Sequence, residues 1–235
     1  MEILQKKLAA KFIYQSGTMG FGKGWWWHRF LPPFPNFPYV TKTVTLKPRK
    51  GNPYTILPFG RSVFNKLGLP NPGFHEFLKI AHISPNATIS IAGTDDQIEY
   101  MTSVLDVFDI GGIELNFTCP NVCDHKNIRI PESRHPLFLK LNYLSDPYVY
   151  ELDKIARIRL NSVPCKFGGG SGQFAKEKNF AFIQKFIKEG LSITGASFTT
   201  YNDILELIDI GCTEIGIGAA ILVNPRLILS LKYKI

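Results

Sequence analysis

A chain of 235 residues, 45% hydrophobic and 20% charged, is neither disordered nor fibrous and is long enough to bury one large core. No apolar run reaches the roughly 18 residues that span a bilayer, and Met1–Lys11 lacks the apolar stretch and cleavage site of a signal peptide, so a cytoplasmic protein without membrane contact is expected. The net charge of +8 favours anionic partners, but the lysines are scattered, which suits a phosphate-bearing cofactor or a carboxylate substrate as well as a nucleic acid.

Apolar β-type runs alternate with helical patterns along the chain. Candidate strands are Phe12–Gln15, Tyr39–Thr45, Thr88–Ala92, Ile113–Asn116, Leu137–Leu141, Ile155–Leu160, Leu191–Thr194 and Glu214–Gly218. Asp95–Phe108 has apolar residues at helical spacing behind a capping Thr94 or Asp95. Glu177–Glu189 and Tyr201–Ile210 read as helices stopped by Gly190 and Gly211, and Pro225 opens a last helix, Arg226–Lys232. Strands alternating with helices in this way point to an α/β fold, a compact (β/α)8 TIM barrel forming one domain over residues 1–235. Two connections look pared down. Asp146–Lys154 has room for barely two helical turns, and Trp25–Pro38 is an aromatic and proline cluster. That cluster either packs over a barrel face where a helix is missing or forms an exposed interaction surface.

A parallel barrel keeps its chemistry at the C-terminal ends of its strands. After the first strand, Ser16–Lys23 has glycines that let backbone approach a flat ligand, or that simply turn the chain. Lys42 lies in a β-branched strand, where its ammonium faces either solvent or a site. Asn65, in Ser62–Gly73, suits a ligand or a turn. The fourth strand ends in Glu114-Leu115-Asn116-Phe117-Thr118-Cys119-Pro120-Asn121. Pro120 cannot donate to a ladder, so the strand stops near it with two carboxamides and a thiol at its end. Lys140 ends the fifth strand and Asn161-Ser162 follows the sixth. Gly168–Gly172 is a linker composition, or, opening a helix, a set of backbone N–H groups for a phosphate. Ala196-Ser197 and Gly218-Ala219 follow the last two strands, where barrels commonly hold a phosphate. The four cysteines, Cys119, Cys123, Cys165 and Cys212, form no framework, so reduced thiols and no metal site are expected.

Taken in order, these segments resemble the class 1 dihydroorotate dehydrogenases. Glu114–Asn121 is similar to their ELN-[LIF]-[ST]-CPN signature, and Thr41–Pro53 to TKT-[IV]-TL-x-PR-x-GNP. Ser16–Lys23 resembles the ASGTFGYGKE stretch of the NAD-linked class 1B enzymes, and Gly168–Lys176 resembles GGLSGPAIK. Ser62–Gly73 is similar to the substrate loop, with Gly68–Asn71 nearer the fumarate-linked class. The chain departs from the family at Ala196-Ser197 (usually Gly-Gly), at Gly218-Ala219 (usually Gly-Thr) and at Ser90 (often a flavin-contacting Asn).

The resemblance implies FMN-dependent oxidation of dihydroorotate to orotate in pyrimidine (UMP) biosynthesis, with Cys119 as base and Lys42 beside it in the chemistry. It implies substrate binding by Lys42, Asn65, Leu67, Gly68, Leu69, Asn116, Asn121, Asn161 and Ser162. It assigns FMN binding to Ser16, Gly17, Lys42, Thr43, Ser90, Asn116, Lys140, Leu160, Gly172, Ala196, Ser197, Gly218 and Ala219. The class 1B likeness implies a separate iron–sulfur and FAD subunit, because this chain has neither a cysteine cluster nor a dinucleotide fingerprint. A homodimer is common in the family, and no nucleic-acid partner is implied. Two other readings stand beside this one. One is another flavin barrel, such as a dihydrouridine synthase-like enzyme acting on RNA. The other is a degenerate, non-catalytic barrel subunit, favoured by the short length and by Trp25–Pro38.

Overall fold

The computed structural model describes residues 10–25, 28, 34–52, 55–117 and 129–231. In chain order the elements are β1 (Lys11–Tyr14), β2 (Tyr39–Val40), β3 (Ile56–Phe59), β4 (Ser62–Asn65), α1 (Phe74–Ile80), β5 (Ala87–Ile91), α2 (Asp95–Leu105), β6 (Gly112–Asn116), β7 (Leu137–Leu141), β8 (Ile155–Leu160), β9 (Val163–Cys165), β10 (Gly168–Gly172), α3 (Gln173–Lys188), α4 (Tyr201–Ile210), β11 (Glu214–Ile217), α5 (Ala220–Val223) and α6 (Pro225–Leu231). None of the described helices is long and apolar enough to cross a membrane.

Seven strands form a parallel sheet in the order β11-β1-β2-β5-β6-β7-β8. Residues 193–195 fill the eighth place, bridging Ile193 to Ile158 of β8 and Gly195 to Ile215 of β11. Thr194 N donates to Ile158 O at 2.9 Å and Gly216 N to Gly195 O at 2.7 Å, so the ring closes as the expected (β/α)8 barrel. Leu191–Thr194 is therefore not a continuous strand. Tyr39–Thr45 is likewise broken, its ladder ending at Val40 and resuming only at the bridge from Val44 to Ile91.

Closure divides each strand into two faces. Phe12, Ile89, Ile91, Ile113, Leu115, Leu139, Ile158, Ile215 and Ile217 join helix residues such as Met101, Leu105, Ile183 and Leu207 in one buried apolar cluster. The residues between them, including Ser90, Glu114, Lys140, Arg159 and Glu214, meet one another across the barrel interior. Parallel strands buried on both faces are usually apolar throughout. Here the polar interior makes them alternate, and that is why their period of two shows in the sequence.

A second sheet, antiparallel and ordered β3-β4-β10-β9, went unread in the sequence. It corrects the reading of Gly168–Gly172, which is a strand paired to β4 and β9 before it caps α3 at Gly172. Helix α3 accordingly starts at Gln173 rather than Glu177, and α2 stops at Leu105 rather than Phe108. Asp146–Lys154 holds two short 3-10 turns, Pro147–Val149 and Leu152–Lys154, in place of a regular helix. Within Trp25–Pro38, Pro35 and Phe37 pack inward, while Trp25, Asn36 and Pro38 are exposed: Phe37 lies 5.5 Å from Phe12 and 5.7 Å from Tyr14, and Tyr14 Oη donates to Pro35 O at 2.8 Å.

Helix α4 is pinned at its start by Asp203. The carboxylate accepts from Thr199 N at 2.8 Å and Thr200 N at 2.9 Å and pairs with Lys176 of α3 at 2.7 Å. Burial pushes its pKa up, but the Lys176 ammonium and these N–H groups outweigh burial and hold the carboxyl below its ordinary value. A carboxylate depressed in the folded state stabilises above its unfolded pKa of about 3.9 and loses that contribution as pH falls through the lower folded value. Asp203→Asn should therefore cost about 1–3 kcal/mol near neutral pH. In urea titrations the gap to the parent should narrow as the pH falls below the ordinary carboxylate value, and a gap independent of pH would contradict this account.

Candidate active site

The C-terminal ends of β1, β2, β5, β6 and β7 converge on one polar mouth. Ser16 Oγ donates to Thr41 O at 3.0 Å and lies 3.3 Å from Thr43 Oγ1. Thr43 Oγ1 is 2.8 Å from Ser90 Oγ and accepts from Asn116 Nδ2 at 3.0 Å, and Ser90 Oγ donates to Glu114 Oε1 at 2.8 Å. Lys140 Nζ stands 3.5 Å from the same oxygen. The fold thus joins Ser16, Thr43, Ser90, Asn116 and Lys140 in one network. Ser90 is fully buried, so it backs Thr43 rather than lining the surface of the mouth.

Lys42 joins this group from the loop side. Its backbone N donates to Gly20 O at 2.7 Å, and its ammonium lies 5.6 Å from the centre of the Trp25 ring. The indole is itself fixed, Trp25 Nε1 donating to Gly17 O at 2.9 Å. Burial lowers the Lys42 pKa, and among the described residues no carboxylate pairs with it. An ammonium held over an aromatic face in this way still has room for an anion.

The second sheet supplies another set. Asn65 ends β4 and pairs with Gly169 of β10. A Cβ at Gly169 would fall 2.3 Å from Ser162 Oγ and 3.9 Å from Asn65 Nδ2, so these two side chains share one spot. Asn161 Oδ1 accepts from Ser162 N at 2.9 Å. Leu67, Gly68 and Leu69 form the adjoining turn, in which Leu67 O accepts from Asn52 N at 2.8 Å and Leu69 takes a positive φ of 56°. Leu160, last in β8, is buried.

At the expected phosphate end, Gly172 opens α3 beside the end of β11: a Cβ on it would lie 3.4 Å from that of Ala219. Ser197 has a φ of 65°, and its Oγ accepts from Asn179 Nδ2 of α3 at 2.8 Å. Ala196 is buried. Gln15 lies across β11, where a Cβ at Gly216 or Gly218 would strike its amide at 2.5 or 2.7 Å. Its Nε2 is buried with no hydrogen-bond partner among the described residues, a spare donor at the place where the sequence predicts an anion. Cys119 and Asn121 lie outside the described residues.

Sequence reasoning missed Glu114, Arg159 and Glu214. Arg159 is 2% exposed and lies 3.7 Å from Glu114 Oε2 and 3.6 Å from Glu214 Oε1, with its guanidinium 3.8 Å from the Phe138 ring centre. Desolvation lowers its pKa against the pull of both carboxylates. The available signal was parity: Glu114, Lys140, Arg159 and Glu214 all occupy the non-apolar positions of alternating strands. Cys165 and Cys212 are free, and burial pushes the Cys212 thiol up to about 12, far from nucleophilic use.

Comparison with known proteins agrees with this arrangement. The structure overlays a ligand-free dihydroorotate dehydrogenase from Eimeria tenella with a TM-score of 0.72, covering 95% of this chain and 82% of that one, at 14% identity, a likeness of fold. The dihydroorotate dehydrogenase B (NAD(+)) catalytic subunit of Caldicellulosiruptor saccharolyticus is 26% identical over 281 aligned positions, covering 99% of this chain and 91% of that protein. Those positions outnumber the 235 residues here, so the relative carries internal segments that this chain lacks. The subunit of the same name from Thermoanaerobacter pseudethanolicus is 32% identical over 131 residues, 52% of this chain, and in that match the chain spans only 42% of the relative's length. A family model described as dihydroorotate dehydrogenase matches residues 1–150, which carry β1 through β7 and the polar mouth between them, and the chain belongs to that family.

Proposed function

We propose that this chain is a single FMN-binding barrel that oxidises dihydroorotate to orotate in the cytoplasm, as the catalytic subunit of a class 1B enzyme. The observation that carries the reading is the mouth itself, where Lys42, Lys140, Asn116 and Thr43 gather at the C-terminal ends of parallel strands. The residues suit FMN: two ammonium groups for an electron-rich ring, the bare backbone of Gly17 facing open space, and the spare Gln15 amide beside Gly218. Ser16, Thr43, Lys42 and Lys140 would hold the ring, and Gly172, Ser197 and Ala219 the phosphate. When bound there, FMN supplies a hydride acceptor.

The chain's own residues do the rest. Asn65, Asn116, Asn161 and Ser162 bind the amides and carboxylate of the substrate without adding negative charge that would repel an anion. Lys42, seated over Trp25, offsets negative charge as it develops on the substrate. Cys119 takes the C5 proton, and a thiol with an ordinary pKa of about 8.5 needs only a modest shift to do so near neutrality. Asn121 completes the set. Electrons leave through a separate iron–sulfur and FAD subunit, and a homodimer forms the catalytic core. An absorbance spectrum of the purified protein, followed by anaerobic addition of dihydroorotate, tests the reading. A flavin band that bleaches is the expected result, and a folded protein that binds no FMN would overturn it.

A further inference from the structure

Glu114 is 1% exposed, precedes Asn116 by two residues on the inward face of β6, and takes no part in the chemistry above. Its hydrogen bonds nevertheless form a chain with a fixed direction. A carboxylate only accepts, so Ser90 Oγ, 2.8 Å from Glu114 Oε1, gives its proton there. Thr43 Oγ1, 2.8 Å from Ser90 Oγ, must then donate to Ser90. Having a single proton, Thr43 can only accept from Asn116, whose Nδ2 is 3.0 Å away. The carboxamide of Asn116 is thereby turned with Nδ2 inward. Burial strengthens each link, because donors and acceptors in a low-dielectric chain polarise one another. The same carboxylate faces Lys140 at 3.5 Å and Arg159 at 3.7 Å.

The geometry points to Glu114 as a positioning residue. Through Ser90 and Thr43 it fixes which edge of the Asn116 carboxamide meets the substrate, and by its charge it holds Lys140 at the mouth. This deepens, and rests on, the dihydroorotate reading. Ser90 is the link that matters most, since a hydroxyl both accepts and donates and so passes the polarity on, whereas alanine breaks the chain without removing a charge.

The test is a double-mutant cycle on FMN-loaded protein, with orotate affinity read by titration calorimetry and FMN affinity by fluorescence quenching. Ser90→Ala and Glu114→Met, which leaves Ser90 no acceptor, should each weaken orotate about tenfold at saturating FMN, the scale of one misdirected hydrogen bond. The double variant should be no more than about twofold weaker than the poorer single, because both changes cut one chain. Additive losses, or unchanged orotate affinity in folded, FMN-loaded Ser90→Ala protein, would overturn the assignment. Should Glu114→Met not fold, Ser90→Ala alone decides, an about tenfold loss of orotate affinity at saturating FMN supporting the assignment and an unchanged affinity overturning it. A parent protein that holds FMN but no orotate removes the dihydroorotate reading and this role together. A parent that binds orotate with variants that bind it equally well removes this role alone.

Discussion

Arg159→Ala should destabilise the protein by about 3–5 kcal/mol, which is most of the folding free energy of an ordinary domain at the low end of its 5–15 kcal/mol range. The guanidinium is almost wholly buried inside the barrel, between Glu114 at 3.7 Å and Glu214 at 3.6 Å. Among the described residues its Nε and Nη1 have no hydrogen-bond partner, so the site is balanced chiefly by charge and by stacking on Phe138. Removing it leaves two carboxylates in a low-dielectric interior. Glu114 then relies on Lys140 at 3.5 Å and the Ser90 hydroxyl, and Glu214 on Arg157 at 4.0 Å and Thr194 Oγ1 at 2.6 Å. Arg159→Met keeps the stem and its packing, so it separates lost charge from lost volume. Combining Arg159→Met with Glu214→Gln should recover part of the loss, since an uncompensated charge is removed with its partner. Urea unfolding of the three variants reads this directly, and a cost under about 1 kcal/mol for Arg159→Ala would show the charges to be solvated after all.

Much of the barrel was legible because its interior is polar. Inward positions carry Ser90, Glu114, Asn116, Lys140 and Arg159 while outward ones carry Ile, Leu and Val, and that contrast marks a strand more clearly than a uniformly apolar run would. What stayed hidden depended on contacts between distant segments. Ile56–Phe59 is exposed along its length and Gly168–Gly172 has almost no side chains, so neither shows a strand pattern until it pairs with β4. Residues 193–195 close the barrel through single bridges, so the expected strand Leu191–Thr194 marked the right place in the ring but not the broken ladder there. The site divided in the same way. Its individual donors were visible at strand ends, whereas the meeting of Asn65 with Ser162 needs the second sheet, and the roles of Glu114 and Arg159 need a closed ring.

Cys119→Ala is expected to lower turnover by about 10²–10⁴-fold, the usual worth of a positioned general base, while FMN absorption is unchanged. Oxidation of dihydroorotate removes a hydride from C6 and a proton from C5, so something on the far side from the flavin must take that proton. The described histidines are poorly placed. His75 lies on α1, 6.0 Å from the Tyr100 ring, His28 packs at 5.4 Å against Phe34, and His135 precedes the N-terminal end of β7. His82 N donates to Phe21 O below the loop that follows β1. None of the four stands with Asn116 and Lys140. Strand β6, by contrast, ends at Asn116, so Cys119 follows the edge of the mouth by three residues, at most about 10 Å of chain. Anaerobic single-turnover reduction of FMN isolates the proton-and-hydride step from reoxidation by a partner. A variant that holds FMN yet reduces it at the parent rate would take Cys119 out of the base role. The polar mouth would keep its place in binding, and the proton would need another route.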